Sequence, residues 1–271
     1  MNRKRTLFVI FCIIVVCSLL AIPLLLRQIY PPHTLQPAIS KAIAFFEGAR
    51  EPYSLLMLDV MHRRFGIAEF ADALQRYDEV LAKSLEQAPL LRVFRRIADY
   101  DNTLQAGDLA AVWEDYDQVT VPALYCDRFG LPENYPEFLE LAVTLGGYWV
   151  SHVLLAWIWI QENGCEFPLP EGFIEDLYLA NAALIDDDPV VTDLEFEAAA
   201  FLYLAGQGTL VDDAFVERVI AVQNDNGGWS YSSDMPGSVP NWHVSILGLM
   251  ILLHVEYPAD SYPPMLAPAS R

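Results

Sequence analysis

His152, Asp193, Glu197 and His243 are the residues of this 271-residue chain whose types and positions best suit chemistry. Each stands within the first turn or two of a strongly apolar helical segment: His152 in GYWVSHVLLAWIWI, Asp193 and Glu197 in DLEFEAAAFLYL, His243 in WHVSILGLMILL. Asp193 and Glu197 are four apart and share a helix face. If the three segments run side by side, their starts gather at one mouth, flanked by Trp149 and Trp242. Two imidazoles and a carboxylate, His152, Glu197 and His243, are a donor set for Zn²⁺ or another divalent ion with one position left open. The same groups suit general acid and base catalysis or the binding of a small-molecule, glycan or peptide ligand. Each also has a plainer reading. Thr192 and Glu195 have capping-box spacing and acidic residues favour a helix start, Asn241 can cap the last segment, and His152 can be a hydrogen-bonded core residue.

Other combinations fall away on geometry. Ser151 and His152 are neighbours on a helix and point ~100° apart, so they are not a nucleophile pair. Gly206-Gln207-Gly208 lacks the Lys and Ser/Thr of a phosphate loop and reads as a helix end. Arg92, Arg95 and Arg96 form a basic stripe that can meet lipid headgroups or, more simply, pair with the acidic second half of the chain.

The elements that must position these residues are helical almost throughout. Apolar residues recur at three- and four-residue spacing over Leu35 to Glu47, Glu51 to Arg64, Ile67 to Leu85, Pro89 to Tyr100, Gly107 to Val119, Glu133 to Leu145, Gly147 to Gln161, Glu171 to Ile185, Asp193 to Leu204, Asp212 to Val222 and Trp242 to Val255. Alternating strand patterns are absent. Some segments are amphipathic, and those from Gly147, Asp193 and Trp242 are apolar nearly all round, which predicts burial on every side. Including an earlier segment from Tyr53 and a weaker one near Asp101, the buried helices recur every 45–50 residues, the length of a helical hairpin. An inner ring wrapped by an outer ring is the expected result: an all-α, α/α-toroid domain of about five hairpins, with an irregular helical bundle as the alternative.

The N-terminus predicts an address. Arg3, Lys4 and Arg5 precede an uncharged stretch from Thr6 to Leu26, long enough at ~1.5 Å per residue to span a ~30 Å hydrocarbon core. Basic residues favour the cytoplasmic side, so the expected organisation is a head and transmembrane anchor over 1–27, an extracytoplasmic domain over 28–256 and a proline-rich, little-packed tail over 257–271. A cleaved signal peptide fits less well, because Leu19 to Pro23 offer no small-x-small site. Residues 97–271 carry 3 Lys/Arg against 28 Asp/Glu, a surface that repels phosphate backbones and argues against nucleic acid. Beyond the anchor only Cys126 and Cys165 remain, with no CxxC; they can pair in an oxidising compartment, but spacing alone does not decide it.

Gln223-Asn224-Asp225-Asn226-Gly227-Gly228-Trp229, between an amphipathic helix and the last buried one, resembles the Q-x3-G-x-W repeat of the squalene–hopene cyclase and prenyltransferase superfamily. The resemblance implies an α/α toroid in which Gln223, Gly227 and Trp229 brace one outer helix against its neighbour. The cyclases' DxDD donor is missing, since Asp186-Asp187-Asp188 lacks the spacing, and Asp193-Leu194-Glu195 has Glu where the prenyltransferases' zinc-binding Cys would stand. Gly147-Tyr148-Trp149-Val150-Ser151-His152-Val153-Leu154-Leu155 with Gly164-Cys165 is similar to the signature of an uncharacterised secreted family that includes a vertebrate thyroid-enriched member. That resemblance implies secretion and a fold, and no reaction.

Overall fold

A computed structural model describes residues 35–112, 114–234 and 239–269. The chain divides into two compact units, 1–37 and 38–271, and the second holds nearly all of the described residues. The expected anchor lies outside the described residues; among those described, no helix is long and apolar enough to cross a membrane. The fold is all-α, with two isolated bridges, Thr192 to Ser232 and Trp229 to Asn241, as the β-type pairing among the described residues.

Among the described residues, twelve helices succeed one another: α1 Leu35–Phe46, α2 Pro52–Phe65, α3 Ala73–Lys83, α4 Ala88–Phe94, α5 Asp115–Leu124, the single turn α6 Cys126–Phe129, α7 Tyr135–Leu145, α8 Tyr148–Glu162, α9 Phe173–Ala182, α10 Asp193–Leu204, α11 Asp213–Ala221 and α12 Trp242–Glu256. Their ends obey local chemistry. The Glu51 carboxylate accepts from Ser54 N at 2.6 Å ahead of Pro52, and Gly66, with φ 71°, closes α2 in the left-handed region that glycine tolerates. The expected capping box forms at α10, with Thr192 and Glu195 exchanging bonds, while Asp212 and Asn241 cap α11 and α12.

Three expected segments are broken: Ile67 to Leu85 is a 3-10 turn, Ala68–Phe70, followed by α3, and Pro89 to Tyr100 is α4 followed by a 3-10 turn, Arg95–Ile97. The third, expected over Gly107 to Val119, is instead a short 3-10 turn, Asp108–Ala111, and then α5, because Val112 and Glu114 are extended and break the helix between them. Helix α5 therefore starts at Asp115 and runs through Pro122.

The helices that are apolar all round are the most buried. In α10 the side chains from Glu195 to Leu202 are all buried, and in α12 all those from Val244 to His254. Helix α2 packs on α12, α12 on α10, α10 on α8, and α8 on α5. Helices α3, α7, α9 and α11 pack against α2, α8, α8 with α10, and α12 respectively.

The tail is mostly exposed but is pinned at one point. Met265 and Leu266 are buried, and their amides donate to Glu162 Oε1 and Oε2 at 2.7 and 2.8 Å. Arg63 and Arg64, at the end of α2, donate to the carbonyls of Met265 and Pro263 at 2.8 and 2.9 Å. Proline removes donors but leaves carbonyls, and here charged side chains from helix C-termini occupy them. Cys126 and Cys165 are joined in a disulfide that ties α6 to the loop after α8.

The basic stripe is consumed by ion pairs. Arg92 meets Asp108 at 2.7 Å, Arg95 meets Asp78 at 2.7 Å and also Asp99, and the fully buried Arg96 meets Asp127 at 3.1 Å.

Candidate functional site

The starts of α8, α10 and α12 bring His152, Asp193, Glu197 and His243 into one chain of close polar contacts. Tyr148 Oη donates to Asp193 Oδ2 at 2.8 Å, and Asp193 Oδ1 lies 3.0 Å from His243 Nδ1. His243 Nε2 is 3.5 Å from Glu197 Oε2, and Glu197 Oε1 is 3.2 Å from His152 Nδ1 and accepts from the Ser151 hydroxyl. Helical spacing explains the register: Asp193 and Glu197 present their carboxyls one turn apart, and Tyr148 and His152 do the same on α8.

His243 has a carboxylate near each ring nitrogen, Asp193 within hydrogen-bond distance of Nδ1 and Glu197 at 3.5 Å from Nε2. Burial alone would lower its pKa, but the hydrogen bond to Asp193 and the charges of Asp193, Glu197 and Glu51 outweigh it and hold it above its ordinary value. His152 Nδ1 lies 2.8 Å from the Tyr148 carbonyl, which can only accept, so that nitrogen bears the proton. The His152 side chain is part-exposed, at 20%.

Half-exposed rings surround the chain. Tyr116 stacks on His152 with centroids 4.7 Å apart, Trp149 meets Tyr116 edge-on at 5.1 Å, and Trp242 meets His243 edge-on at 5.5 Å. Tyr53, at the start of α2, stacks on Trp242 at 6.2 Å. Burial, with the charges of Asp117, Glu51 and Glu114, pushes the Tyr53 hydroxyl pKa up, which sets the starts of α2 and α5 within electrostatic reach of each other. Burial and the neighbouring Glu114 raise Asp117 to about 6, partly offset by His152.

Tyr53, Tyr116, Asp117, Tyr148, Ser151 and Glu51 complete the mouth, although residue type and spacing alone do not single them out as site residues. Two signals in the sequence bear on them: Glu51-Pro52 ahead of Ser54, and the acidic run Glu114-Asp115 with Asp117, both of which mark helix starts.

The metal set of His152, Glu197 and His243 comes together as close pairs, Glu197 lying 3.2 Å from His152 and 3.5 Å from His243. Among the described residues, no group of three or more His, Cys, Asp or Glu is arranged to hold a metal ion. A cleft of about 470 Å³ opens on a different face of α5, along Gln118, Val121 and Pro122. Its walls are mainly apolar and carry no carboxylate or imidazole, so it lacks the chemistry of the mouth.

Gln223 and Trp229 brace α11 against α1 and the start of α12. Gln223 Nε2 donates at 2.9 Å to the carbonyls of Ala38 in α1 and of Gly227. Trp229 is fully buried, and its Nε1 donates to Val219 O at 2.7 Å, joining α11 to the start of α12. Gly227, with φ 93°, approaches α1 so closely that an added Cβ would lie 2.1 Å from Lys41 O.

Fold and site thus define an all-helical domain with a mixed carboxylate–imidazole cluster at the starts of its buried helices. The chain matches no protein family model, no curated protein and no solved structure.

Proposed function

We propose that this is a membrane-anchored, extracytoplasmic α/α-toroid domain that binds a small hydroxylated ligand, of the size of a sugar unit, at the mouth of its inner helices. The order of packing, α2 on α12, α12 on α10, α10 on α8 and α8 on α5, supports an inner ring, and the electrostatic reach between Tyr53 and Asp117 supports its closure. The anchor and the side on which the domain lies rest on the sequence of residues 1–27.

One observation carries the ligand reading: five half-exposed rings, Tyr53, Tyr116, Tyr148, Trp149 and Trp242, surround the polar chain from Asp193 to His152. Aromatic faces take the C–H faces of a sugar, and a few convergent polar groups fix its hydroxyls. No Lys or Arg belongs to this set, which disfavours phosphorylated or sulfated ligands. Saturation-transfer NMR with neutral, amino and uronic monosaccharides tests it. Transfer to the parent protein should vanish in a Tyr116→Ala/Trp242→Ala variant of unchanged fold; no transfer to any sugar, or transfer indifferent to the variant, overturns the reading.

A second reading, an acid/base hydrolase or lyase at the same mouth, is favoured by the part-exposed His152 ring, fixed by its Nδ1 on the Tyr148 carbonyl and lying 3.2 Å from the Glu197 carboxyl.

A further inference from the structure

We propose that the groove between α5 and α7 is a docking surface for an amphipathic helix with a basic edge, contributed by a partner protein. This surface is separate from the mouth and does not depend on what binds there.

The groove lies where the fold lacks a flanking helix. Helices α2, α8, α10 and α12 are flanked by α3, by α7 with α9, by α9 and by α11 respectively. Helix α5 packs on α8, and apart from the single turn α6 no flanking helix packs closely on it among the described residues. The segment that leads into it is a 3-10 turn and an extended break instead of a helix. On the side left uncovered, Leu109, Val121, Pro122, Phe129 and Leu131 line the cleft of about 470 Å³, and Phe129 is 64% exposed. A second hollow of about 200 Å³ shares Gln118, Pro122 and Pro132 with the first and reaches Tyr135 and Phe138 of α7. Along α7 the apolar surface continues through Leu141 and Leu145, which are 59% and 57% exposed. Gln118, Val121, Pro122 and Tyr125 on α5, and Tyr135, Phe138, Leu141 and Leu145 on α7, are spaced three and four apart. Each wall is therefore a helix ridge, and the groove between two ridges accepts a third helix.

Charge sets the chemistry of the occupant. Glu114, Glu133, Glu137 and Glu140 are exposed and stand within two residues of groove positions. None of the four belongs to an ion pair among the described residues. Arg128 is the one Lys or Arg between residues 97 and 145, and its guanidinium is spent on the carbonyls of Asn102 and Tyr100. An apolar groove with an acidic rim suits an apolar helix face edged by Lys or Arg. The same rim repels a second copy of this acidic chain and an anionic lipid surface.

The probe is a peptide of about 18 residues, five turns of helix, with Leu on one face, Lys on the other and one photoreactive benzoylphenylalanine among the Leu residues. It is irradiated with the full-length protein in neutral-detergent micelles, and the cross-links are mapped by mass spectrometry. They should concentrate on Phe129 to Pro132 and Phe138 to Leu145, and unlabelled peptide should compete them away. Phe129→Ser and Leu141→Ser, at exposed positions whose replacement spares the core, should each weaken labelling at least about fivefold with the circular dichroism unchanged. Glu133→Lys/Glu137→Lys should weaken it as much and leave the remainder insensitive to salt. A peptide of the same composition in scrambled order should label weakly. Equal labelling by the scrambled peptide reduces the effect to charge alone and overturns the proposal. So does labelling that is absent, spread over the surface or unchanged in both serine variants. Two rival occupants are read separately, and either result also overturns the helix: a dimer in sedimentation equilibrium that Phe129→Ser dissolves assigns the groove to a second copy, and labelling of Phe129 by photoreactive phosphatidylcholine in vesicles, in preference to the peptide, assigns it to the bilayer.

Discussion

His243 and His254 are two imidazoles in one helical core with opposite electrostatic fates, set by what each nitrogen faces. His254 is buried, its Nδ1 lies 2.8 Å from Met250 O, and its Nε2 accepts from Arg64 Nε at 3.2 Å. Burial first, and the Arg64 charge with it, hold its pKa down to about 3, so it is neutral in the folded protein. Once unfolded it titrates near 6.5. Its contribution to stability is therefore complete above pH 6.5 and is lost as the pH falls towards 3, by at most about 1.4 kcal/mol per pH unit for one proton. Urea unfolding at pH 7 and pH 4 should show a larger loss in the parent than in His254→Leu, whatever the level from which the variant starts. Asp117 works in the opposite sense. Its folded-state pKa of about 6 exceeds the ordinary 3.8, so stability tied to its neutral form is present below 3.8 and lost as the pH rises through 6. Asp117→Asn should raise the melting temperature at pH 8 and leave it unchanged near pH 3.5, as read by differential scanning calorimetry across about five pH units. An equal gain at both pH values would mean that the substitution acts through packing instead of charge.

At the scale of elements, the brace from α11 to α12 is the most exposed to test. Trp229 is fully buried, spans from Val219 O to the Ser245 hydroxyl, and lies where an added Cβ on Gly248 would be 2.9 Å from its ring. Trp229→Ala should cost ~3–5 kcal/mol in chemical denaturation, since it leaves both a cavity and an unpaired Val219 carbonyl. A change below about 1 kcal/mol would show that α11 and α12 hold together without it. The helices most legible in the sequence are those with the strongest local signals. Thr192 to Glu195 announce the start of α10, and the all-round apolar runs of α10 and α12 announce their burial. The start of α5 is illegible to apolar spacing, which does not register the extended backbone at Val112 and Glu114, so the pattern puts Tyr116 and Asp117 near the end of a helix when they stand at the start of one. For that reason the mouth is hidden on the side supplied by α5. The tail is hidden for another reason: its anchors, Glu162, Arg63 and Arg64, are 100 to 200 residues away in sequence, and composition carries no trace of such pairing.

For the molecule as a whole, the covalent closure matters more than any single contact. The Cys126–Cys165 disulfide, with a sequence separation of 39, closes a loop that contains the whole of α7 and α8, and α8 carries Tyr148 and His152. In the chain-entropy picture such a loop restrains the unfolded state by about 4 kcal/mol. The rest of the surface opposes compaction, with 28 acidic residues against 3 basic ones from residue 97 onward, so self-repulsion makes that restraint the more valuable at low ionic strength. Reduction should therefore lower the melting temperature by roughly 8–16 °C, at about 2–4 °C per kcal/mol for a domain of this size. A Cys126→Ser/Cys165→Ser variant should reproduce the fall, and added salt should recover part of it by screening the acidic surface. The consequence for the site is specific: α8 lies inside the closed loop, whereas α10 and α12 lie outside it. Hydrogen exchange on the reduced protein should show protection lost first at Tyr148 to Leu155, ahead of Phe196 to Leu202 and Ile246 to Leu253. Uniform loss across the three helices, or an unchanged melting temperature on reduction, would mean that the core holds α8 in place without the disulfide.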